Sequence, residues 1–330
     1  MKRSLFCLSL FCLSLFFLSF SSCATLVHTA EREVTKIAVD EAAKAIEKGT
    51  SNPVKLDGTS QVISGDNTFA NSSSGTVSNA SDLTVYFVDV GQGDCEVLTC
   101  GGKNMVIDAG SGKDLNKMLA FMKKANFSSF DVIVSTHPDE DHIGNLDTVV
   151  SSWAGPNTVI YAPKITSTTV AFENFINAVK GKGLSLKTPV LGSSFNLGST
   201  VCTILAPNGS SYQGNNNYSI VIRAVNGSNS FLLMGDAAFL SEDEILSKWS
   251  VKSEVLKVGH HGSATSTSQK FYDAVSPKYS VISVGAGNTY GHPSADTLAR
   301  ISSSIVYRTD QNGTIVMKSD GNTIKVQTNF

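Results

Sequence analysis

Ser135-Thr136-His137-Pro138-Asp139-Glu140-Asp141-His142-Ile143-Gly144 is the stretch that decides how this chain is to be read. The β-branched residues of Asp131 to Ser135 (DVIVS) predict a buried strand running into it, and a helix is expected after it. Four ligand-type side chains, His137, Asp139, Asp141 and His142, fall within six residues. In a loop they can turn toward one point. Neutral imidazole and carboxylate are the usual ligands of divalent metals. Two carboxylates held this close repel one another unless a cation lies between them. A solvated acidic turn would not call for a histidine at each end, so the segment reads as a metal site.

The remaining histidines point the same way. The chain has six: His28, His137, His142, His260, His261 and His292. All except His28 sit at the ends of predicted strands or in adjacent loops. Phe231 to Ala237 (FLLMGDA) is a strand that ends in Gly235 and Asp236, and an acid there can bridge two metals; a turn or helix-capping Asp is the plainer reading. Leu256 to Ser263 (LKVGHHGS) opens another strand into a loop. Adjacent histidines usually point in different directions, so one of His260 and His261 is expected to ligate while the other packs or hydrogen-bonds. His292, in Gly287 to Pro293 (GNTYGHP), is a candidate ligand, acid or substrate clamp, or else simply shapes a Gly/Pro loop. Asp89, in the glycine-flanked Val88 to Asp94 (VDVGQGD), and Asp108, in Ile107 to Gly110 (IDAG), are expected to orient the ligand loop from behind. The first of these lacks the G-x-x-x-x-G-K pattern of a phosphate-cradling loop.

Strands are predicted at Leu83 to Val90, Lys103 to Asp108, Thr200 to Leu205, Ser219 to Val225, Ser230 to Met234, Glu254 to Val258 and Tyr279 to Val284, with two more around the Asp320-Gly321-Asn322 turn. Helical spacing appears at Asp114 to Ala125, Thr168 to Val179 and Ser241 to Trp249. Strands with helices between them predict an α/β architecture, two sheets inside and helices outside.

The 330 residues allow one large domain with appendages. Lys2 and Arg3 precede an apolar run from Leu5 to Phe20, closed by Ser21-Ser22-Cys23, which predicts a signal peptide over residues 1–22. The run is short for a membrane span. Cys23 after two serines resembles a bacterial lipoprotein cleavage box. An exported chain anchored at the cell envelope by one lipidated Cys is therefore expected, with free secretion as the alternative. Residues 23–82 carry a helical stretch from Ala30 to Lys48, then a Ser/Gly/Asn/Thr-rich segment that cannot bury a core and reads as a tether. The chemistry is expected in residues 83–330. Without Lys2 and Arg3 the 26 basic residues fall to 24 against 28 acidic ones, so no global basic field draws in nucleic acid. Bound metal ions would add positive charge locally. Cys95, Cys100 and Cys202 match no zinc spacing; Cys95 and Cys100 either pair or stay buried thiols.

Taken in order, VDVGQGD (Val88 to Asp94), VIDAG (Val106 to Gly110), THPDEDHIG (Thr136 to Gly144), NYSIV (Asn217 to Val221), MGDA (Met234 to Ala237), KVGHHGS (Lys257 to Ser263) and YGHPS (Tyr290 to Ser294) resemble the metallo-β-lactamase superfamily, and most of all the C-terminal domain of the ComEC competence (DNA-uptake) family. Arg308 to Gly313 resembles that family's closing motif. The resemblance implies a metallo-β-lactamase αββα four-layer sandwich with the metal site at one edge. It implies that His137 and Asp139 hold one metal, that Asp141, His142 and one of His260/His261 hold a second, and that Asp236 is shared. Two departures stand out. No histidine occurs from Ile143 to Gly259, where many members have one, and Asp139 stands where they commonly have His. Oxygen-rich ligation favours manganese or magnesium more than an all-histidine zinc site would. One or two divalent ions are expected, manganese or zinc first and magnesium as a further option.

The implied activity is metal-assisted hydrolysis of a phosphodiester, with extracellular nucleic acid as substrate. Asp141 would orient the attacking water and His292 would contact the phosphate. Asn217, Ser219, Ser263 and Thr265 are expected to line the substrate side. The alternatives are a hydrolase of small phosphodiesters or other esters at the cell surface, and a non-catalytic surface lipoprotein that uses the scaffold for binding. ComEC-type proteins also carry many membrane spans; no such run follows the signal here, so the DNA channel itself is not expected of this chain, and its membrane contact would be through the lipid anchor alone.

Overall fold

A computed structural model describes residues 82–330. The signal, the Ala30 to Lys48 stretch and the tether lie outside the described residues. Fifteen strands form two sheets among the described residues. The first has eight strands in the order β15 (Ile324–Gln327), β14 (Ile315–Ser319), β1 (Leu83–Phe87), β2 (Glu96–Cys100), β3 (Lys103–Ile107), β4 (Phe130–Val134), β5 (Ala154–Tyr161), β6 (Leu186–Lys187). The second has seven, in the order β13 (Ile305–Arg308), β12 (Tyr279–Ile282), β11 (Val255–Lys257), β10 (Asn229–Leu233), β9 (Val221–Asn226), β8 (Thr200–Ala206), β7 (Ser194–Leu197).

Side-chain alternation explains the layering. Along β1, Leu83, Val85 and Phe87 face the second sheet, where they meet Phe195, Ile222, Phe231 and Val281 in one core. Tyr86 points the other way, into a core shared with the helices α1 (Leu115–Ala125), α3 (Leu146–Trp153) and α4 (Val170–Gly181). A third core joins the outer face of the second sheet to α5 (Phe239–Leu246), α6 (Gln269–Val275) and α7 (Ala295–Arg300). Three apolar interfaces make four layers, the αββα sandwich that the motif order implied. Each buried Val, Leu or Phe contributes about 1.5–3 kcal/mol, so strand alternation fixes which face each sheet presents. Sequence signals end the helices. Thr169, Ser268 and Ser294 accept the N–H of the residue three positions on, capping α4, α6 and α7. Two further short helices are α2 (Glu140–Ile143), inside the ligand segment, and α8 (Thr309–Asn312).

Both sheets mix strand directions, and the pattern positions the site. β3, β4, β5 and β6 run parallel, as do β10, β11, β12 and β13. Parallel strands joined through helices leave their C-terminal ends open to loops, where α/β folds gather ligands. Asp108 follows β3, His137 follows β4, Asp236 follows β10 and His260 follows β11. Among the described residues no helix is long and apolar enough to cross a membrane. Cys95, Cys100 and Cys202 are buried, and no disulfide joins Cys95 to Cys100.

Candidate metal centre

Asp236 is the hub. Its Oδ1 lies 3.2 Å from His142 Nε2 and 3.6 Å from His261 Nε2, while its Oδ2 lies 3.8 Å from His137 Nε2 and 3.6 Å from His260 Nε2. Each carboxylate oxygen thus faces a pair of imidazoles. Another carboxylate flanks each pair: Asp141 Oδ2 is 3.2 Å from His261 Nε2, and Asp139 Oδ2 is 3.5 Å from His137 Nε2. His137, His142, Asp236 and His261 are buried; Asp139, Asp141 and His260 are partly open to solvent.

Local chemistry aims the rings. Asp108 is fully buried at a left-handed φ of 54°. Its Oδ1 accepts the Thr136 N–H at 2.8 Å, and its Oδ2 accepts from Thr136 Oγ1 at 2.5 Å and His142 Nδ1 at 2.7 Å. With its proton on Nδ1, His142 turns the bare Nε2 toward Asp236. The Thr136 hydroxyl is already spent as a donor, so it accepts from His137 Nδ1 at 3.1 Å, leaving that Nε2 bare too. His260 and His261 are consecutive left-handed residues, with φ of 48° and 52°. In an extended chain neighbouring side chains diverge; this turn re-aims them. Both rings reach Asp236, on opposite oxygens, so neither turns away from the centre.

Behind His261 stands a device that the sequence reading missed. Its Nδ1 donates to the Ser283 carbonyl at 3.0 Å and lies 3.2 Å from Asp94 Oδ1. The other oxygen of Asp94 accepts from the buried Lys257 Nζ at 2.8 Å. Asp94, His142, Asp236 and His261 bring one ligand atom each within 4.8 Å of one another. Asp94 nevertheless meets His261 at Nδ1 and is engaged by Lys257, whereas Asp141 meets the free Nε2 beside Asp236. Asp141 thus stands on the Nε2 side of His261 and Asp94 on its Nδ1 side. Gly93, at φ 139°, lets the Asp94 loop press on the ligand loop, since a Cβ there would lie 2.1 Å from the Asp141 carbonyl oxygen.

Several expected roles change. Asp89 accepts the Gly91 N–H and pairs with Lys117 at 3.1 Å, so Asp94 rather than Asp89 orients a centre histidine from this loop. Asn217 Oδ1 accepts from Ala238 N and Ser241 N, bracing the start of α5 instead of facing substrate. Ser219 is buried; its Oγ accepts the Asp236 N–H at 3.1 Å and lies 3.4 Å from His137 Nδ1. Ser263 is buried and contacts Thr265, whose exposed hydroxyl is 3.4 Å from His260 Nδ1. Two neighbours of Asn217 approach the centre: Asn215 Nδ2 donates to Asp139 Oδ1 at 2.5 Å, and Asn216 Nδ2 lies 3.2 Å from His260 Nδ1 and 3.3 Å from its Nε2. His292 packs edge-on to His260 at 5.4 Å.

Electrostatics and orphaned atoms agree with a cation. The Nε2 atoms of His137, His142 and His261, and Asp236 Oδ1, are buried without a hydrogen-bond partner, an arrangement that costs free energy unless something occupies the space between them. Burial alone would lower the His261 pKa, but Asp236, Asp94 and Asp141 outweigh it and push it up to about 10. Asp236 and Asp108 likewise carry His142 well above the ordinary range against the effect of burial. Burial would raise Asp236, yet His142, His261 and His137 hold it well below a normal carboxylate. Such mutual attraction lets protons occupy a place that a divalent ion takes by displacing them. The donor set, four imidazoles and three carboxylates, fits a divalent metal.

A model of the Metallo-beta-lactamase superfamily matches residues 88–286. The chain is 28% identical over 257 residues to ComE operon protein 3 of Bacillus subtilis, covering 72% of this chain and 33% of that protein. It is 28% identical over 242 residues to competence protein ComA of Neisseria gonorrhoeae, covering 72% and 32%. The chain thus spans about a third of the length of the curated relatives it matches. Among solved structures, the metallo-beta-lactamase fold protein YhfI of Bacillus subtilis superimposes with a TM-score of 0.50 at 12% identity, covering 72% of this chain and 100% of that one; this likeness concerns the fold alone. The family match extends over more than half the sequence and includes every turn of the ligand segment, and on that ground the chain belongs to the metallo-beta-lactamase superfamily of metal-dependent hydrolases.

Proposed function

We propose that this chain is an exported metal-dependent phosphodiesterase acting on nucleic acid outside the cytoplasm. The observation that carries the reading is the division of Asp236: one oxygen faces His142 and His261, with Asp141 beside His261, and the other faces His137 and His260, with Asp139 beside His137. His260 thereby fills the place left by the lack of a histidine from Ile143 to Gly259. Two ions on one shared carboxylate are a recurring arrangement for displacement at phosphorus. Carboxylates in both groups favour manganese, and the imidazoles also admit zinc. When bound, the metal would supply positive charge to a phosphoryl oxygen and acidify a water toward neutrality.

The chain's own residues do the rest. Asp141 remains partly open to solvent while touching His261, which suits it to orient the attacking water. Burial, with the neighbouring imidazoles of His260 and His261, lowers the pKa of His292, so near neutral pH its ring is uncharged, with one N–H to offer a phosphate oxygen. The buried side chains of Asp108, Asp94 and Lys257 keep the imidazoles aimed without touching substrate. Support for nucleic acid comes from the relatives, one called a competence protein and another a ComE operon product. Residues 1–22 act as the signal, Cys23 carries the lipid, residues 24–82 tether the domain, and 83–330 form the hydrolase.

The test is cleavage by the purified full chain with manganese, with and without chelator, on single-stranded DNA, RNA and bis(p-nitrophenyl) phosphate. Chelator-sensitive cutting of the polymers, abolished in His142→Ala, is the expected result. Cleavage of the small diester alone would move the substrate to small phosphodiesters, and no metal uptake at all would leave the scaffold a binding protein. Radiolabelled palmitate incorporation that depends on Cys23 tests the anchor.

A further inference from the structure

Tyr290 is 68% exposed, yet its loop is tightly built. Asn288 Oδ1 accepts the N–H groups of both Tyr290 and His292 at 3.1 Å, and Asn288 Nδ2 donates to the carbonyls of His292 at 2.6 Å and Gly285 at 3.0 Å. One face of the phenol ring rests on His292, with centroids 5.8 Å apart and planes within 24°. His292 in turn lies 6.4 Å from His261, with planes within 28°. Two offset stacking contacts therefore lead from His261 at the centre through His292 to Tyr290 at the water. A large aromatic surface held rigidly in solvent contributes nothing to the core, and an interaction at its open face would bury it.

We infer that Tyr290 is a stacking platform for an unpaired nucleobase of the strand whose phosphate enters the metal centre. This rests on the phosphodiesterase reading and names where its substrate is gripped. The chemistry suits a flat, uncharged ring: Tyr290 offers a π-face, and the ring beneath it is an imidazole rather than part of an aromatic cage that would hold a quaternary ammonium. Base stacking on an aromatic tolerates any sequence, because every base has a π-face. It requires an unstacked base, so the platform selects single strands over duplex. It also gives affinity without a broad basic surface, in keeping with a chain of net charge −2.

The experiment measures equilibrium binding of the full chain, in chelator, to a fluorescently labelled twelve-nucleotide oligothymidylate and to the same strand with every base replaced by an abasic tetrahydrofuran. The wild type binds the base-bearing strand more tightly. Tyr290→Ala weakens that binding roughly ten-fold and leaves the abasic strand unchanged, whereas Tyr290→Phe keeps the wild-type preference. Equal binding of the two strands by the wild type, or equal weakening of both by Tyr290→Ala, overturns the platform. Parallel cleavage assays with manganese keep the two claims apart. Cutting without any dependence on bases or Tyr290 leaves the hydrolase standing and removes the platform, while Tyr290-dependent binding without cutting does the reverse.

Discussion

Lys257 Nζ lies 2.8 Å from Asp94 Oδ2, both side chains fully buried, and this ion pair stands directly behind His261. Burial would lower the lysine's pKa, but Asp94 and Glu96 outweigh it and raise it. Burial would raise Asp94, and Lys257 and His261 together hold it well below the usual range. Glu96, beside them, is pushed well above its ordinary value by burial and by Asp94. Lys257→Met would strand the Asp94 carboxylate. The expected loss is about 3–5 kcal/mol in urea unfolding, since removing one partner leaves an uncompensated buried charge. Lys257→Met/Asp94→Asn should recover much of it. A double variant no more stable than the single one would contradict this account.

Asp108 accepts three hydrogen bonds from the ligand segment while standing outside the ligand set. Asp108→Asn should still fold, but with His142 no longer held in one tautomer, metal affinity should fall roughly 10- to 100-fold. Isothermal titration with manganese reads this directly; an unchanged affinity would show that the tautomer lock is dispensable.

The division of Asp236 makes a stoichiometric prediction. His260→Ala and His261→Ala should each take up one ion fewer than the wild type by elemental analysis, because each ring serves a different oxygen. Saturating metal should also stabilise the wild type by about 2.7 kcal/mol for each ion bound at a hundred-fold excess over Kd, and chelation should remove this. Full occupancy in His260→Ala would mean that its ring is not a ligand.

Asp320 closes the β14–β15 hairpin. It accepts from the backbone N–H groups of Thr323 and Asn322 and from the Thr323 hydroxyl, which together lower its pKa to about 2 from an ordinary 3.8. The folded state thus favours the ionised form. The stability this lends is complete above pH 3.8 and is lost as pH falls through about 2. NMR titration of the carboxyl should give a midpoint near 2, and Asp320→Asn should remove that part of the acid dependence. A midpoint near 3.8 would mean that the turn does not hold.

The sandwich was legible because alternating runs such as Leu83 to Phe87 show both faces of a strand, and because carboxylates and imidazoles rarely crowd as they do from His137 to His142. β5 escaped notice: Ala154-Gly155-Pro156-Asn157 reads as a turn, and pairing with β4 and β6 draws the strand into the sheet. Asp94 and Lys257 are 163 positions apart. Nothing local marks them as partners, and a lysine in a strand is ordinarily assigned to solvent. Asn215 and Asn216 carry no local signal, since only the folded chain brings them over Asp139 and His260. Asn145 gives no sign in the sequence of its role, in which its Nδ2 ties the carbonyls of Ala109 and Ser111 to the ligand segment.

The ligands come from opposite halves of the molecule, His137 to His142 from loops of the eight-stranded sheet and Asp236 to His261 from loops of the seven-stranded one. A captured ion is therefore a rivet through the seam between the halves. Prying the sheets apart would draw its candidate ligands away from one another. Loss of the cation and undocking of the sheets should accordingly follow a single transition, so a site built for chemistry also clamps the architecture that carries it.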